Sequence, residues 1–340
     1  MSKDITTATT ASRPTIGIDL GDRWSEICVL DAAGECEERL RLRTDREALR
    51  AGLARHRGAR AVIEAGTHSP WVSRVLTECG FETIVANPRR VRLIAESASK
   101  DDGVDAETLA RLGRIDARLL SPIRHRGEQS QRDLVRIRSR DVLVRARTQL
   151  INAARGLAKA LGDRLPACSA ESFARRMRAD GTTDRYPGFG SLVETIEHLT
   201  REIRELEREI DRVGRERYPE TARLREVPGV GAITALCFVL VLEDPSRFAS
   251  SRSVGAYLGL RPRRRDSGAS RPQLAITKQG DVLLRRLLVG SAHYLLGPFG
   301  PPTDLRRFGL RLAASGGPRR RSARWSRWRA SSRSCCTGCG

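Results

Sequence analysis

A chain of 340 residues with 39% hydrophobic residues is long enough for two domains with buried cores. No run approaches the roughly 18 apolar residues of a membrane-spanning helix, so the expectation is a cytoplasmic, nucleoid-associated protein with no membrane partner. A formal net charge of +21 argues for a polyanionic partner rather than a neutral or cationic one, because each phosphate neutralised by a basic side chain releases counterions.

The first 13 residues are polar and are expected to be disordered. Thr15–Leu20 and Glu26–Leu30 read as strands joined by a turn at Gly21-Asp22. Ala61–Glu64 and Thr83–Ala86 read as further buried strands, with a helix over Ser69–Cys79 that Gly80 stops. Strand pair followed by strand–helix–strand predicts an α/β domain over residues 14–120. A helical segment over 121–220 follows, with a long helix over Glu128–Leu161 and a loop over Ala179–Gly190. Leu192, Ile196, Leu199, Ile203, Leu206, Ile210 and Val213 step by four and three with charged flanks, the pattern of a coiled coil. Its partner is either a second protomer, making a dimer or tetramer, or the preceding helix. Tyr218-Pro219 ends that helix, and a mainly α domain is expected over 221–317. Within it, Val227-Pro-Gly-Val-Gly-Ala-Ile-Thr-Ala235 reads as a helix-hairpin-helix, in which Gly229 and Gly231 let backbone N–H groups approach a DNA phosphate; an ordinary tight turn has the same composition.

Four carboxylates stand where a metal site would want them. Asp19 and Glu64 close apolar strands, and Asp102 and Asp105 are three residues apart, on one face if that stretch is helical. Mg2+ or Mn2+ takes such oxygen ligands, and a pair of ions can clamp a phosphodiester in transit. Singly, each residue has a plainer reading as a turn former or a helix N-terminal acid. In the C-terminal half, Arg263, Arg264 and Arg265 precede Asp266-Ser267-Gly268, and Ile276-Thr-Lys278-Gln-Gly280 follows. Guanidiniums there can hold a phosphate beside a serine nucleophile, or the segment can be a phosphate-binding loop with Ser267 merely in its turn. The lone Cys336-x-x-Cys339 has no second pair to make a zinc site.

GIDLG around Asp19, VIEAG around Glu64 and KDDGVDA around Asp102 and Asp105 resemble the DEDD signature of the insertion-sequence one-ten family of transposases. The resemblance runs from about residue 14 to 317; Gly103 departs from it, where the family carries a bulkier, often basic residue. It implies an RNase H-like, RuvC-like N-terminal domain with a DEDD metal site, and a C-terminal transposase domain matching GLRP, SG and ITK.G. It also implies that Ser267 is the nucleophile, ahead of Ser270, and that Lys278 is a phosphate contact. The implied chemistry is DNA cleavage through a phosphoserine, strand exchange and religation without ATP, in an oligomer guided by a structured bridge RNA. Two other readings stay open: a RuvC-like nuclease acting on branched DNA, and an inactive nucleic-acid-binding remnant.

Residues 318–340 hold seven Arg, no acid and no Val, Ile, Leu, Met or Phe, so no core-facing helix is expected. Family members resembling this chain continue with Ala-Val-Val-Ala-Val and later Leu-Leu-His-Arg-Leu-Trp. Read one base later in GC-rich codons, these become Arg324-Trp-Ser-Arg-Trp328 and Cys335-Cys-Thr-Gly-Cys-Gly340, so the tail is expected to be a frame-shifted reading of the family's terminal helix.

Overall fold

The computed structural model describes residues 13–94, 102–265, 267 and 274–314, with 92–94, 102 and 103 described by their backbone alone. The expected N-terminal disorder and the frame-shifted tail concern residues that lie, but for Arg13, outside the described ones.

β1 (Thr15–Leu20) is apolar on both faces over most of its length and takes the centre of a sheet. It pairs antiparallel with β2 (Trp24–Leu30) and parallel with β4 (Arg60–Glu64). β3 (Cys36–Arg43) and β5 (Glu82–Ala86) form the two edges, in the order β3-β2-β1-β4-β5 among the described residues. The sequence reading of four strands is thereby corrected to five. β3 escaped it because Leu40 and Leu42 alternate with arginines, which suits an edge strand with one wet face and gives little apolar signal.

Alternation divides the sheet into two faces. Ile16, Ile18, Ile27, Val29 and Ile63 point to one side and pack with Leu49 of α1 (Arg46–Gly52) and with Val72 and Leu76 of α2 (Ser69–Glu78). Residues of the opposite parity meet α4 (Asp102–Ile115): Cys28 and Leu30 touch Ala106 and Ala110, and Val62 packs with Leu109 and Leu112. Between β5 and α4 the chain forms α3 (Pro88–Ile94). Helix α4 lies so close to β1 that only glycine fits at position 17, where a Cβ would stand 1.9 Å from the carbonyl oxygen of Ala106.

The chain divides into two compact units, residues 1–126 and 127–340. In the second, α5 (Glu128–Ala160) and α8 (Phe189–Arg217) run antiparallel, tied by Arg136 Nε to Glu209 at 2.6 Å and by an Arg140–Glu207 pair. The stretch read as a loop after residue 179 contains a short helix, α7 (Thr182–Arg185), after α6 (Phe173–Ala179), and Tyr186 and Phe189 beside it enter the core. Along α8 the buried stripe is Val193, Ile196, Thr200, Ile203, Ile210 and Val213. Leu192, Leu199 and Leu206, one step round the helix, are only half-buried.

The short α9 (Thr221–Arg225) leads to α10 (Ala232–Leu242), which is apolar all round and therefore sits inside the core. Leu236, Cys237, Leu240 and Val241 of α10 pack with Leu134, Ile137 and Ile210 of the long helix pair and with Leu258 and Leu284. Around them lie α11 (Ser251–Tyr257), α12 (Val282–Leu296) and α13 (Asp304–Ala314). Among the described residues no helix is long and apolar enough to cross a membrane.

Candidate active site

In the parallel register of β1 and β4, Ile18 stands beside Ile63, so the chains next deliver Asp19 and Glu64 as neighbours at the C-terminal ends of adjacent strands. Strands pair at roughly 4.8 Å, which keeps the two backbones close. Both residues have the parity of Gly17 and Val62 and so face α4. Both are half-buried, and both already take part in polar or electrostatic interactions.

Asp105 directly precedes Ala106, whose carbonyl lies over Gly17, two residues short of Asp19. The close approach of α4 therefore sets Asp105 at the same end of the sheet as the strand carboxylates, on the exposed rim. Asp102 begins α4, three residues earlier, and its side chain lies outside the described ones. Among the described residues no group of three or more His, Cys, Asp or Glu closes on a common point. Asp19 and Glu64 thus close adjacent strands, but the three described carboxylates do not converge on one point.

One carboxylate that the sequence reading missed belongs to this neighbourhood. Glu26 is the cross-strand partner of Asp19 and shares its face. Acids directly opposite one another repel, and Arg41 of β3, itself opposite Glu26, answers part of that charge with Nε 3.0 Å from Glu26 Oε1. Counting the register outward from the turn at Gly21-Asp22 would have found it. On α4, Glu107 is held below the usual carboxylate range by hydrogen bonds from Arg111 and then Arg39, against the opposing effect of burial. The Arg39 contact staples α4 to β3.

Ser267 is exposed, beyond a neck where two chain segments are clamped together. Pro262 and Ile276 form an antiparallel bridge, flanked by Arg263 N–H to the Ala275 carbonyl at 2.9 Å and Thr277 N–H to the Arg261 carbonyl at 2.8 Å. At its base Arg285, buried on α12, donates from Nη1 to the carbonyls of Leu258 (3.0 Å) and Gln279 (2.7 Å). Arg263, Arg264 and Arg265 are exposed on the outgoing strand of this loop, and Lys278 is exposed on the returning one with φ +57. Ser270 lies outside the described residues. Arg285 too was missed, since nothing in its local sequence distinguishes it from other arginines. The two hairpin glycines differ: Gly229 (φ +87) is pressed against α12, where a Cβ would meet the Ser291 carbonyl and the Tyr294 ring, whereas Gly231, before α10, opens to free space.

A transposase model of the IS110 DEDD type matches residues 16–161, and the model described as "Transposase IS116/IS110/IS902 family" matches residues 221–302. The chain is 30% identical over 289 residues to the transposase for insertion sequence element IS1328 of Yersinia enterocolitica, covering 82% of each chain. It is 29% identical over 305 residues to the transposase for insertion sequence element IS1111A of Coxiella burnetii, covering 87% of this chain and 81% of that relative. The chain belongs to the IS110 family of transposases. A transposase of an insertion sequence cuts and rejoins DNA, which accounts for the class of polyanion that the charge calls for. In this transposase the DEDD model spans the sheet, α4 and the whole of α5, and the second model spans α9 to α12 with the serine loop.

Proposed function

We propose that this transposase breaks DNA with Ser267 as nucleophile, assisted by a divalent metal site formed by Asp19, Glu64, Asp102 and Asp105. The observation that carries the metal reading is the placement of two half-buried carboxylates on adjacent strand ends beneath the helix that bears the other two. The donor set is all oxygen, with no thiolate or imidazole among the four, which fits a hard ion such as Mg2+ or Mn2+. Bound there, such an ion would neutralise charge on a phosphodiester in the transition state.

The protein's own groups carry the remaining steps. Exposed guanidiniums of Arg263, Arg264 and Arg265, with the Lys278 ammonium, are suited to hold the scissile phosphate at the serine loop. As the Ser267 Oγ–P bond forms, one P–O bond of the DNA backbone breaks and a deoxyribose hydroxyl leaves with a proton. Attack by a hydroxyl of another strand on the phosphoserine reverses these changes, restores the diester and frees Ser267, so no nucleotide is spent. The hydrogen-bonded neck before Ser267 supports this reading, since a nucleophile must be held near its attack position.

The resemblance further supports guidance by a structured bridge RNA, and the net charge of +21 is compatible with two nucleic acids at once. Assembly into a dimer or tetramer through residues 192–213 is supported by the half-buried row Leu192, Leu199 and Leu206 beside the stripe that packs on α5. A gel assay of the protein with DNA carrying the element's ends, in Mg2+ and with the element's RNA, tests the whole reading. A denaturation-resistant protein–DNA adduct is expected, absent in Ser267→Ala and reduced at least about a hundredfold in Asp19→Asn or Glu64→Gln. Cleavage that survives Ser267→Ala would instead support a nuclease acting through the carboxylates alone. Binding without cleavage by the unaltered chain would mark it as an inactive remnant.

A further inference from the structure

The face of β2 and β3 that flanks α4 carries an aromatic side chain that the chemistry above does not use. Trp24 begins β2 beside the turn that follows β1, and it is 48% exposed. It has the parity of Glu26 and Cys28, so it stands on the same face as Asp19 and Glu64 and at the same end of the sheet. The Arg41 guanidinium lies over its ring, 5.4 Å from the centroid, while its Nε holds Glu26, the cross-strand neighbour of Asp19. Trp24, Arg41, Glu26 and Asp19 therefore form one continuous row.

Arg39 and Arg43 extend this face along the edge strand. Every second residue of β3 from 39 to 43 is arginine, spaced by about 6.6 Å along the strand. Each has an acidic partner, yet the three side chains are 54%, 65% and 73% exposed. The Arg41 and Arg43 pairs, the wetter two, contribute little, and a phosphate can replace either carboxylate at small cost. Leu40 and Leu42, on the other face, already anchor β3 to the core, so packing does not require an open tryptophan and three arginines here.

We propose that this face binds an unpaired stretch of the DNA strand being cut, with Trp24 as the platform on which one base stacks and the β3 arginines holding the backbone. A half-exposed indole flanked by guanidinium groups offers what a single strand needs: a π-face open to any base and cations along its backbone. Duplex DNA hides the faces of its bases, which is why the ligand is unpaired. That it is DNA rather than RNA rests on the reading of Asp19 and Glu64 as part of a cutting site, since the platform shares their face.

The test is binding, measured by fluorescence anisotropy in Ca2+ to a labelled duplex with a short single-stranded gap, using the full chain. Trp24→Ala should weaken binding to the gapped DNA by about tenfold, Trp24→Phe should retain most of it, and binding to intact duplex should stay within about twofold. Abasic nucleotides placed one at a time in the gap should reveal a position that costs the unaltered protein the same factor and costs Trp24→Ala nothing more. Equal losses on gapped and intact duplex, no sensitive abasic position, or a tighter hold on the same gap made of RNA would each overturn the proposal. The abasic series on the unaltered protein decides the matter even if Trp24→Ala folds poorly. Asp19→Asn separates the two readings: normal cleavage by that variant removes the acidic-site reading, while the abasic profile reports on the platform alone.

Discussion

Asp133 is wholly buried in α5 and keeps its charge because four donors surround it. Gln129 Nε2, Tyr218 Oη and Arg136 Nη1 donate at 2.8–2.9 Å, and Arg217 Nη1 at 3.3 Å. Burial pushes its pKa up, but the bonds from Gln129 and Tyr218 and the two arginines outweigh it, and the carboxyl ends below its ordinary value of 3.8. A depressed carboxylate adds stability that is present above the unfolded pKa and is lost as the pH falls through the lower folded one. Asp133→Asn should therefore cost about 3 kcal/mol at neutral pH and shrink the acid-induced loss below about pH 4, seen as urea midpoints across pH. The Tyr218 phenol, pushed up to about 12 by burial and by Asp133, stays a donor throughout, and Tyr218→Phe should cost about 1 kcal/mol in the same assay.

The serine loop depends in a similar way on one buried side chain. Arg285 satisfies two carbonyls from the two sides of the neck through one nitrogen, Nη1, so a side chain without a donor leaves both unpaired. Arg285→Met, which keeps the stem and removes the donor, should speed limited proteolysis within residues 263–278 and lower adduct formation at Ser267 by about tenfold or more. Asp19, Glu64, Asp105 and Ser267 could be singled out in the sequence because their motifs are local. Arg285 and Glu26 could not, because their importance arises only from which strand or loop lies opposite.

At the scale of elements, the legible features were those with an unbroken apolar signal. β1, β4, β5 and α2 stand within two residues of their expected bounds, and α5 within one, as does the end of α8 before Tyr218. The heptad pattern of α8 located Ile196, Ile203 and Ile210 as inward-facing. Val213 is buried as that pattern has it, but the positions at 192 and 199 fall one residue off, since a pattern of seven fixes the period while the neighbouring helix fixes the rotation. α5 takes Val193 and Thr200 inward in place of Leu192 and Leu199. The closeness of α4 to β1 was not legible either, because Gly17 inside GIDLG reads equally as a motif residue. Gly17→Ala tests that closeness: displacing α4 should cost at least about 2 kcal/mol and remove hydrogen-exchange protection from residues 104–112. Because Asp105 travels with α4, the same variant should fail to cut DNA even where it stays folded.

Across the whole molecule the charge of +21 is unevenly employed. Much of the arginine in α5 and α6 is tied to acids of α8, as in Arg136–Glu209, Arg140–Glu207 and Arg178–Glu197, where it sets helix register rather than binding a ligand. Arg263, Arg264 and Arg265 are exposed beside the Pro262–Ile276 bridge. If these three hold phosphates, their joint replacement by alanine should weaken duplex binding and lower the slope of log affinity against log salt by about 2 to 3, since each phosphate contact contributes about 0.9. Arg140→Ala should leave that slope unchanged and lower the melting temperature instead, because its partner is Glu207 and not DNA. Salt titrations of both variants, read beside thermal melts, separate arginines that build this transposase from those that hold its substrate. A slope unmoved by the triple change would place the phosphate contacts elsewhere on the chain.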